Sequence, residues 1–250
     1  MFHGGTIFVD NATGYINVRH QVSLGSSETV KIKLGFERDA YDCDVVISSH
    51  HTDNGIFTSK DFMKVVLHQD QKIRFSGVGA AHQNGVVEQA IRTIITMART
   101  MLLHAAMHAP DLITKELWPM AMDHAVWLCN HIPDKVTGLT PLELWTKSTC
   151  TPTPTREILS HCHVWGCPVF VLEPKLQKGG IKIPKWAPRS RQGLNMGFSK
   201  SHSSSVALIM NLSTKSISAQ FHTVFDDCFT TIPNSEGAID PDGGTLFHAA

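Results

Sequence analysis

Two stretches decide how this chain reads: His51-Thr52-Asp53-Asn54-Gly55-Ile56-Phe57-Thr58-Ser59 and Ala81-His82-Gln83-Asn84-Gly85-Val86-Val87-Glu88, whose Glu88 lies 35 residues after Asp53. The first follows Val45-Val46-Ile47-Ser48-Ser49, a β-branched run that reads as a buried strand, and it contains an Asn54-Gly55 turn. Asp53 is therefore expected at the carboxyl end of a strand, where open α/β sheets present their ligands. Glu88 follows a loop of small residues and opens an apolar run, Ile91, Ile94, Ile95, Ala98 and Leu102, at helical spacing. It is expected in a first helical turn. A strand-end carboxylate beside a helix-start carboxylate suits a hard divalent cation, which takes oxygen ligands and keeps open positions for phosphate.

Outward from these stretches, Thr6 to Val9 and Tyr15 to Val18 read as a hairpin turning near Asn11 to Gly14. Leu24 to Ala40 has helical spacing, with Ser26 or Ser27 as cap and Glu28 in the first turn. Ser59 to Gln69 repeats that signal with Ser59 as cap, and Ile73 to Phe75 reads as a short strand. Long helices follow over Val86 to Met107 and from Asp111 or Thr114 to Asn130, where Pro119 marks a restart. Strands alternating with helices, then helices alone, indicate an α/β layered domain.

The polar, proline-interrupted segment 147–160 reads as a linker between a domain over 1–146 and a small β domain over 161–232. In the latter, Val164 to Leu172, Gly193 to Phe198, Val206 to Leu212 and Ile217 to Val224 are strand candidates, expected to form a small barrel or sheet. Residues 233–250 read as a frayed tail.

The 250 residues, 42% hydrophobic and 18% charged, suffice for one large core or two smaller ones. No N-terminal apolar stretch resembles a signal peptide and no run of about 18 apolar residues suggests a membrane span. The expectation is an intracellular protein that does not engage a membrane. The six cysteines have no regular short spacing, so free thiols are expected. A zero net charge makes no whole-protein case for nucleic acid, but Lys175, Lys178, Lys182, Lys185, Arg189 and Arg191 cluster without an acid among them. Such a run can neutralise phosphates; equally, it can be a solvated loop.

The pair Thr-Asp-Asn-Gly and Gln-Asn-Gly-Val-x-Glu resembles the second and third acidic motifs of retroviral and retrotransposon integrases. Arg92-Thr93, Met97 to Leu102, Leu117-Trp118, Asn130 to Pro133, Thr140 to Trp145 and Val164 to Cys167 continue a likeness to copia-type polyproteins across almost the whole chain. That resemblance implies a ribonuclease H-like integrase core over 1–146, followed by the small mainly-β domain. It implies metal-dependent DNA strand transfer, with a pair of Mg²⁺ or Mn²⁺ ions held by carboxylates, Asp53 and Glu88 serving as both catalytic residues and metal ligands. Gln83, Asn84, Arg92, Lys182, Lys185 and Arg189 are the candidate DNA contacts. DNA is the implied partner, with room for a homo-oligomer, and the nucleus the implied place of action.

Two features depart from the family pattern. The spacing between the acidic motifs is one residue short, which the loop before Glu88 can absorb. The family's first catalytic acid lies on a strand before the one at Gly5 to Asp10, so the resemblance implies a core that lacks its first strand and first Asp. The chain is then expected to be inactive alone, the alternative being a non-catalytic nucleic-acid-binding protein that keeps the fold. Asp10 can substitute for the absent carboxylate or simply bond its own turn. His50 and His51 can position substrate or pack at the strand end, and His161-Cys162-His163 with Cys167 lacks the second pair that a zinc site needs.

Overall fold

β1 (Gly4–Val9) and β2 (Ile16–Gln21) form an antiparallel hairpin in which Gly4 pairs with Gln21 and Val9 with Ile16. The computed structural model describes residues 2–77, 84–146, 159–173, 176, 184–203 and 206–231. These divide into two units, the first comprising 1–98 and 125–159 and the second 99–124 and 160–250.

In the first unit the hairpin leads into α1 (Ser26–Tyr41), whose buried stripe of Thr29, Lys33, Phe36 and Ala40 follows the helical period. No serine caps it. Glu28 in the first turn instead turns its carboxylate back to accept from the Val22 N–H at 2.9 Å and from Ser23 N–H, and Gly25 takes the cap position. Phe8 stacks on Phe36 at 4.2 Å, and Tyr15 on Trp145 at 4.6 Å, so α1 and α5 (Pro141–Thr146) close over one face of the hairpin. Side chains alternate along a strand, which places Ile16 and Val18 on the other face, where both are buried.

The strand expected over Val45 to Ser49 begins four residues later, as β3 (Ser49–Thr52). The cause is how α1 ends: Asp44 turns with φ 57° and Val45 N–H donates to Ala40 O, so Val45 to Ser48 serve as the return from the helix. Val45 and Ile47 still pack against Phe36, Ala40 and Trp145. β3 pairs in parallel with β4 (Lys72–Phe75) through α2 (Lys60–His68), whose cap is Ser59 Oγ accepting from Phe62 N–H at 3.4 Å. α3 (Gly85–His108) and α4 (Trp118–His131) follow, the latter entered through a 3₁₀ turn with Pro119 in its first turn.

The directions of β1 and β3 follow from α1. β1 starts beside Leu24, just before the helix, and its Phe8 reaches Phe36 farther along it, so strand and helix run the same way. β3 is entered from Val45 and Ile47 beside Ala40, near the helix end, and leads to α2, where Asp61 accepts from Ser26 Oγ at the helix start. β1 and β3 are thus antiparallel. Each has one strand neighbour among the described residues, giving two separate two-stranded sheets.

The second unit holds a five-stranded antiparallel sheet in the order β8-β7-β6-β5-β9. Its strands are β5 (Pro168–Leu172), β6 (Ser190–Phe198), β7 (Ala207–Asn211), β8 (Ile217–Gln220) and β9 (Thr223–Phe225). The single strand expected over Ile217 to Val224 is two, paired with different neighbours at opposite edges of the sheet, because the chain turns at Phe221 and His222. Cys167, Val169, Val171, Ala207 and Ile209 make its core. Arg99–His124, the adjoining ends of α3 and α4, belongs to this unit, and Gly166 is required there: at φ +79° a Cβ would come within 2.4 Å of the Ala105 methyl. The tail expected over 233–250 and most of the linker over 147–160 lie outside the described residues.

Candidate metal and nucleic-acid site

β3 ends at Thr52 and delivers Asp53 at its carboxyl end, exposed to solvent. Asp53 Oδ1 accepts from Gly55 N–H at 3.2 Å, closing the Asp-Asn-Gly turn on itself. Asn54 Nδ2 donates to Ser76 O at 2.6 Å, which ties that turn to the residue after β4. The position of Asp53 is therefore fixed by a strand, a turn and a side-chain amide.

A cavity of about 510 Å³ lies against this strand end. Its wall includes Asp53 together with Asn84, Val87 and Ile91, so the start of α3 borders the same space. Glu88 follows Val87 in the first turn of α3 and is exposed. Arg92 stands one turn farther on and is exposed as well. Asn84 is half-buried at the cavity, while Gln83 lies outside the described residues.

Asp10 also borders the cavity, but its carboxylate is occupied by its own hairpin: Oδ2 accepts from Thr13 N–H at 2.8 Å and from Thr13 Oγ1 at 2.7 Å. Because β1 and β3 are antiparallel, Asp10 and Asp53 follow strand ends that point in opposite directions. Among the described residues no group of three or more His, Cys, Asp or Glu side chains is gathered as a metal site. Asp53 and Glu88 are both exposed and offer carboxylate oxygens, the hard donors that Mg²⁺ or Mn²⁺ takes.

His50 is committed elsewhere. Its Nε2 lies 3.0 Å from Glu37 Oε1, and the same oxygen accepts from Lys33 Nζ at 2.6 Å and Gln71 Nε2 at 2.8 Å. Lys33, fully buried, also donates to Gln69 Oε1 and Gln71 Oε1. Burial pushes the Glu37 carboxyl up, but the hydrogen bonds from His50, Lys33 and Gln71 outweigh it and hold it at about 2. Burial lowers the Lys33 ammonium in turn, against the pull of Glu37. This polar cluster behind β3 was missed from the sequence, although Lys33 sits on the Thr29, Phe36 and Ala40 stripe. A lysine on a buried helix face is the signal that could have revealed it.

The remaining candidates lie in the second unit or outside the description. Lys185 and Arg189 are exposed ahead of β6, with Lys185 Nζ 5.4 Å from the Trp186 ring centre. Lys182 lies outside the described residues. His163 Nδ1 bonds Asp227 Oδ2 at 2.8 Å and its ring stacks on Phe225 at 3.7 Å. Burial raises the Cys162 thiol to about 11 and the Cys167 thiol farther, so both are protonated at neutral pH. No described helix is long and apolar enough to cross a membrane.

No family model matches the chain. It is 29% identical over 129 residues to the retrovirus-related Pol polyprotein from transposon TNT 1-94 of Nicotiana tabacum, a match covering 51% of this chain and 9% of that polyprotein. Among solved structures it is similar to the HTLV-2 integrase catalytic core domain in complex with magnesium, in its dimeric form. There the TM-score is 0.42 and the identity 21%, covering 56% of this chain and 83% of that one. It is also similar to a chain of the simian T-cell lymphotropic virus intasome in complex with PP2A regulatory subunit B56 gamma. There the TM-score is 0.44 and the identity 16%, covering 88% of this chain and 70% of the other. The likeness to retrotransposon polyproteins read from the sequence is thus met by a curated relative, and the chain resembles an integrase-like retrotransposon region.

Proposed function

We propose that this chain is a retrotransposon-derived integrase core of ribonuclease H-like fold that binds DNA and, through Asp53 and Glu88, a divalent cation. The observation that carries the reading is the placement of Asp53 at the carboxyl end of β3, on a cavity that the first turn of α3 also borders. A bound Mg²⁺ or Mn²⁺ would supply charge neutralisation to a DNA phosphate and activate an oxygen nucleophile in phosphoryl transfer. Asp53 and Glu88 would hold it; Asn84 and Arg92 would bond phosphate oxygens nearby, and Lys182, Lys185 and Arg189 would add salt-dependent affinity.

Two carboxylates carry too little charge to hold a pair of divalent ions, and Asp10 spends its carboxylate on Thr13. Strand transfer is accordingly absent from this chain acting alone, and binding of DNA, at a nuclear location and as a homo-oligomer, is what it retains. Manganese titration followed by electron paramagnetic resonance tests the metal site: saturable binding lost in Asp53→Asn and Glu88→Gln supports it, and binding unchanged in both overturns it. A strand-transfer assay on labelled DNA tests the rest. Turnover that disappears in Asp10→Asn would make Asp10 a third ligand and reverse the proposal of inactivity.

A further inference from the structure

β3 is a strand of four residues, paired in parallel with the four residues of β4. A lone pair of strands this short is marginal, so something besides the ladder fixes where β3 lies. Its side chains alternate, with Ser49 and His51 exposed and His50 and Thr52 turned inward. His50 is the residue through which β3 grips the rest of the unit.

That grip is on a single oxygen. Glu37 Oε1, on α1, lies 3.0 Å from His50 Nε2 and accepts from Lys33 Nζ and Gln71 Nε2 as well. Held at about 2, the Glu37 carboxyl is ionised at neutral pH and can only accept. The His50 nitrogen that faces it is therefore the donor, Nε2–H. The edge of the His50 ring meets Phe62, with ring centres 6.5 Å apart and planes at 69°, which keeps the ring pointed at α1.

The same cluster ties down what surrounds the strand. Gln71 Nε2 also donates to Ile47 O at 2.9 Å, in the segment that enters β3. Lys33 donates to Gln69 and Gln71, on either side of the Asp70 turn that leads from α2 into β4. One turn of α1 thus binds the entry to β3, β3 itself and the α2–β4 connection.

Asp53 follows His50 by three residues. Among the described residues its carboxylate has one hydrogen bond, from Gly55 N–H within its own turn. Its place relative to α1 must then come through the strand. Thr52 O accepts from Ser76 N–H at 3.0 Å and Asn54 Nδ2 donates to Ser76 O, so a shift of β3 at His50 is passed directly into the turn that presents Asp53.

We propose that Glu37, acting through the Nε2–H of His50, is the positioning residue for the Asp53 carboxylate. Removing this hydrogen bond loosens the turn from Asp53 to Gly55 and weakens the binding of a divalent cation there. The weakened binding follows only if Asp53 and Glu88 are the metal ligands proposed above; the loosened turn follows in either case.

Two variants of the full chain separate the hydrogen bond from bulk and polarity. In His50→Gln the amide nitrogen falls near the place of Nε2 and can still donate to Glu37. In His50→Asn the amide is one methylene shorter and falls short of it. Without metal, the Ser76 N–H and the Asn54 side-chain amide should exchange about fivefold faster in His50→Asn and return close to the parent rate in His50→Gln, while the amides of β1 and β2 keep theirs. The Mn²⁺ dissociation constant, read by electron paramagnetic resonance at neutral pH, should rise about tenfold in His50→Asn and much less in His50→Gln. Equal exchange in the three proteins would overturn the proposal, as would His50→Gln behaving like His50→Asn, or faster exchange spread evenly over β1 and β2, the sign of a general loss of stability. If the parent binds no Mn²⁺, the metal-site reading fails and the exchange comparison still decides the positioning. If His50→Asn does not fold, the decision falls to the parent, where a rapidly exchanging His50 Nε2–H would overturn the proposal and a protected one would support it.

Discussion

Asn130 bonds Ile16 in both directions: its side-chain Oδ1 accepts from Ile16 N–H at 2.9 Å and its Nδ2 donates to Ile16 O at 2.7 Å. An amide side chain here imitates the peptide group of a neighbouring strand and satisfies β2 where a ladder bond would otherwise go. Asn130 is itself buried. Asn130→Ala deletes both partners and strands a buried N–H and C=O, at a cost of about 2 to 3 kcal/mol. Urea unfolding would show a lowered midpoint with little change in slope, and an unchanged midpoint would refute the assignment.

Lys33 and Glu37 form a buried pair, and such a pair is worth most when it is broken. Lys33→Met should destabilise by about 3 to 5 kcal/mol by leaving the Glu37 carboxylate in a buried site without its cation. Adding Glu37→Gln should recover part of that loss, which a double-mutant cycle on chemical denaturation measures. The pH dependence has a definite sign: the Glu37 carboxyl is held at about 2, below the unfolded value of 4.5. Its stabilisation is full above pH 4.5 and is lost as pH falls toward 2. Glu37→Gln should flatten that part of the profile.

His124 belongs to the second unit, buried to 3% exposure and stacked with Phe198. Burial holds its imidazole at about 4. The unfolded chain takes up a proton near 6.5 and the folded one only near 4, so stability falls as pH drops through that window, by about 3 kcal/mol in all. Denaturation at pH 7, 5.5 and 4.5 should show the decline. In His124→Leu the decline should shrink by about that amount.

Exposed Lys185 and Arg189 make a separable prediction for DNA. If each contacts one phosphate, the double change to alanine lowers the slope of log affinity against log salt by about 2, equally for unrelated duplexes. Asp53→Asn should leave that slope unchanged. Anisotropy titrations of labelled DNA between low and moderate salt distinguish the two.

Local signals in the sequence placed the hairpin, α2 with its Ser59 cap, β4, and the long helices, because each rests on residues within one or two turns of itself. They also placed Asp53 at a strand end and Glu88 in a first turn, since Asn-Gly turns and helical periodicity are short-range. What failed depended on distant partners. β3 starts at Ser49 because the end of α1 claims Val45, and Gly25 rather than a serine takes the cap of α1 because the chain before it bends back to donate to Glu28. Lys33 is tolerated inside only because Gln69 and Gln71, brought by α2 and β4, reach it together with Glu37.

The sequence by itself determined the hairpin, the alternation of strands and helices that follows it up to β4, the two acidic motifs, and the likeness to retrotransposon polyproteins. Only the tertiary structure decided that Asp10 turns its carboxylate to Thr13, that His50 answers to Glu37, and that Asn130 bonds the backbone of Ile16. The physical reason is range: propensity and turn chemistry act over a few residues, whereas hydrogen-bond partners and strand neighbours are chosen by packing between segments far apart in the chain.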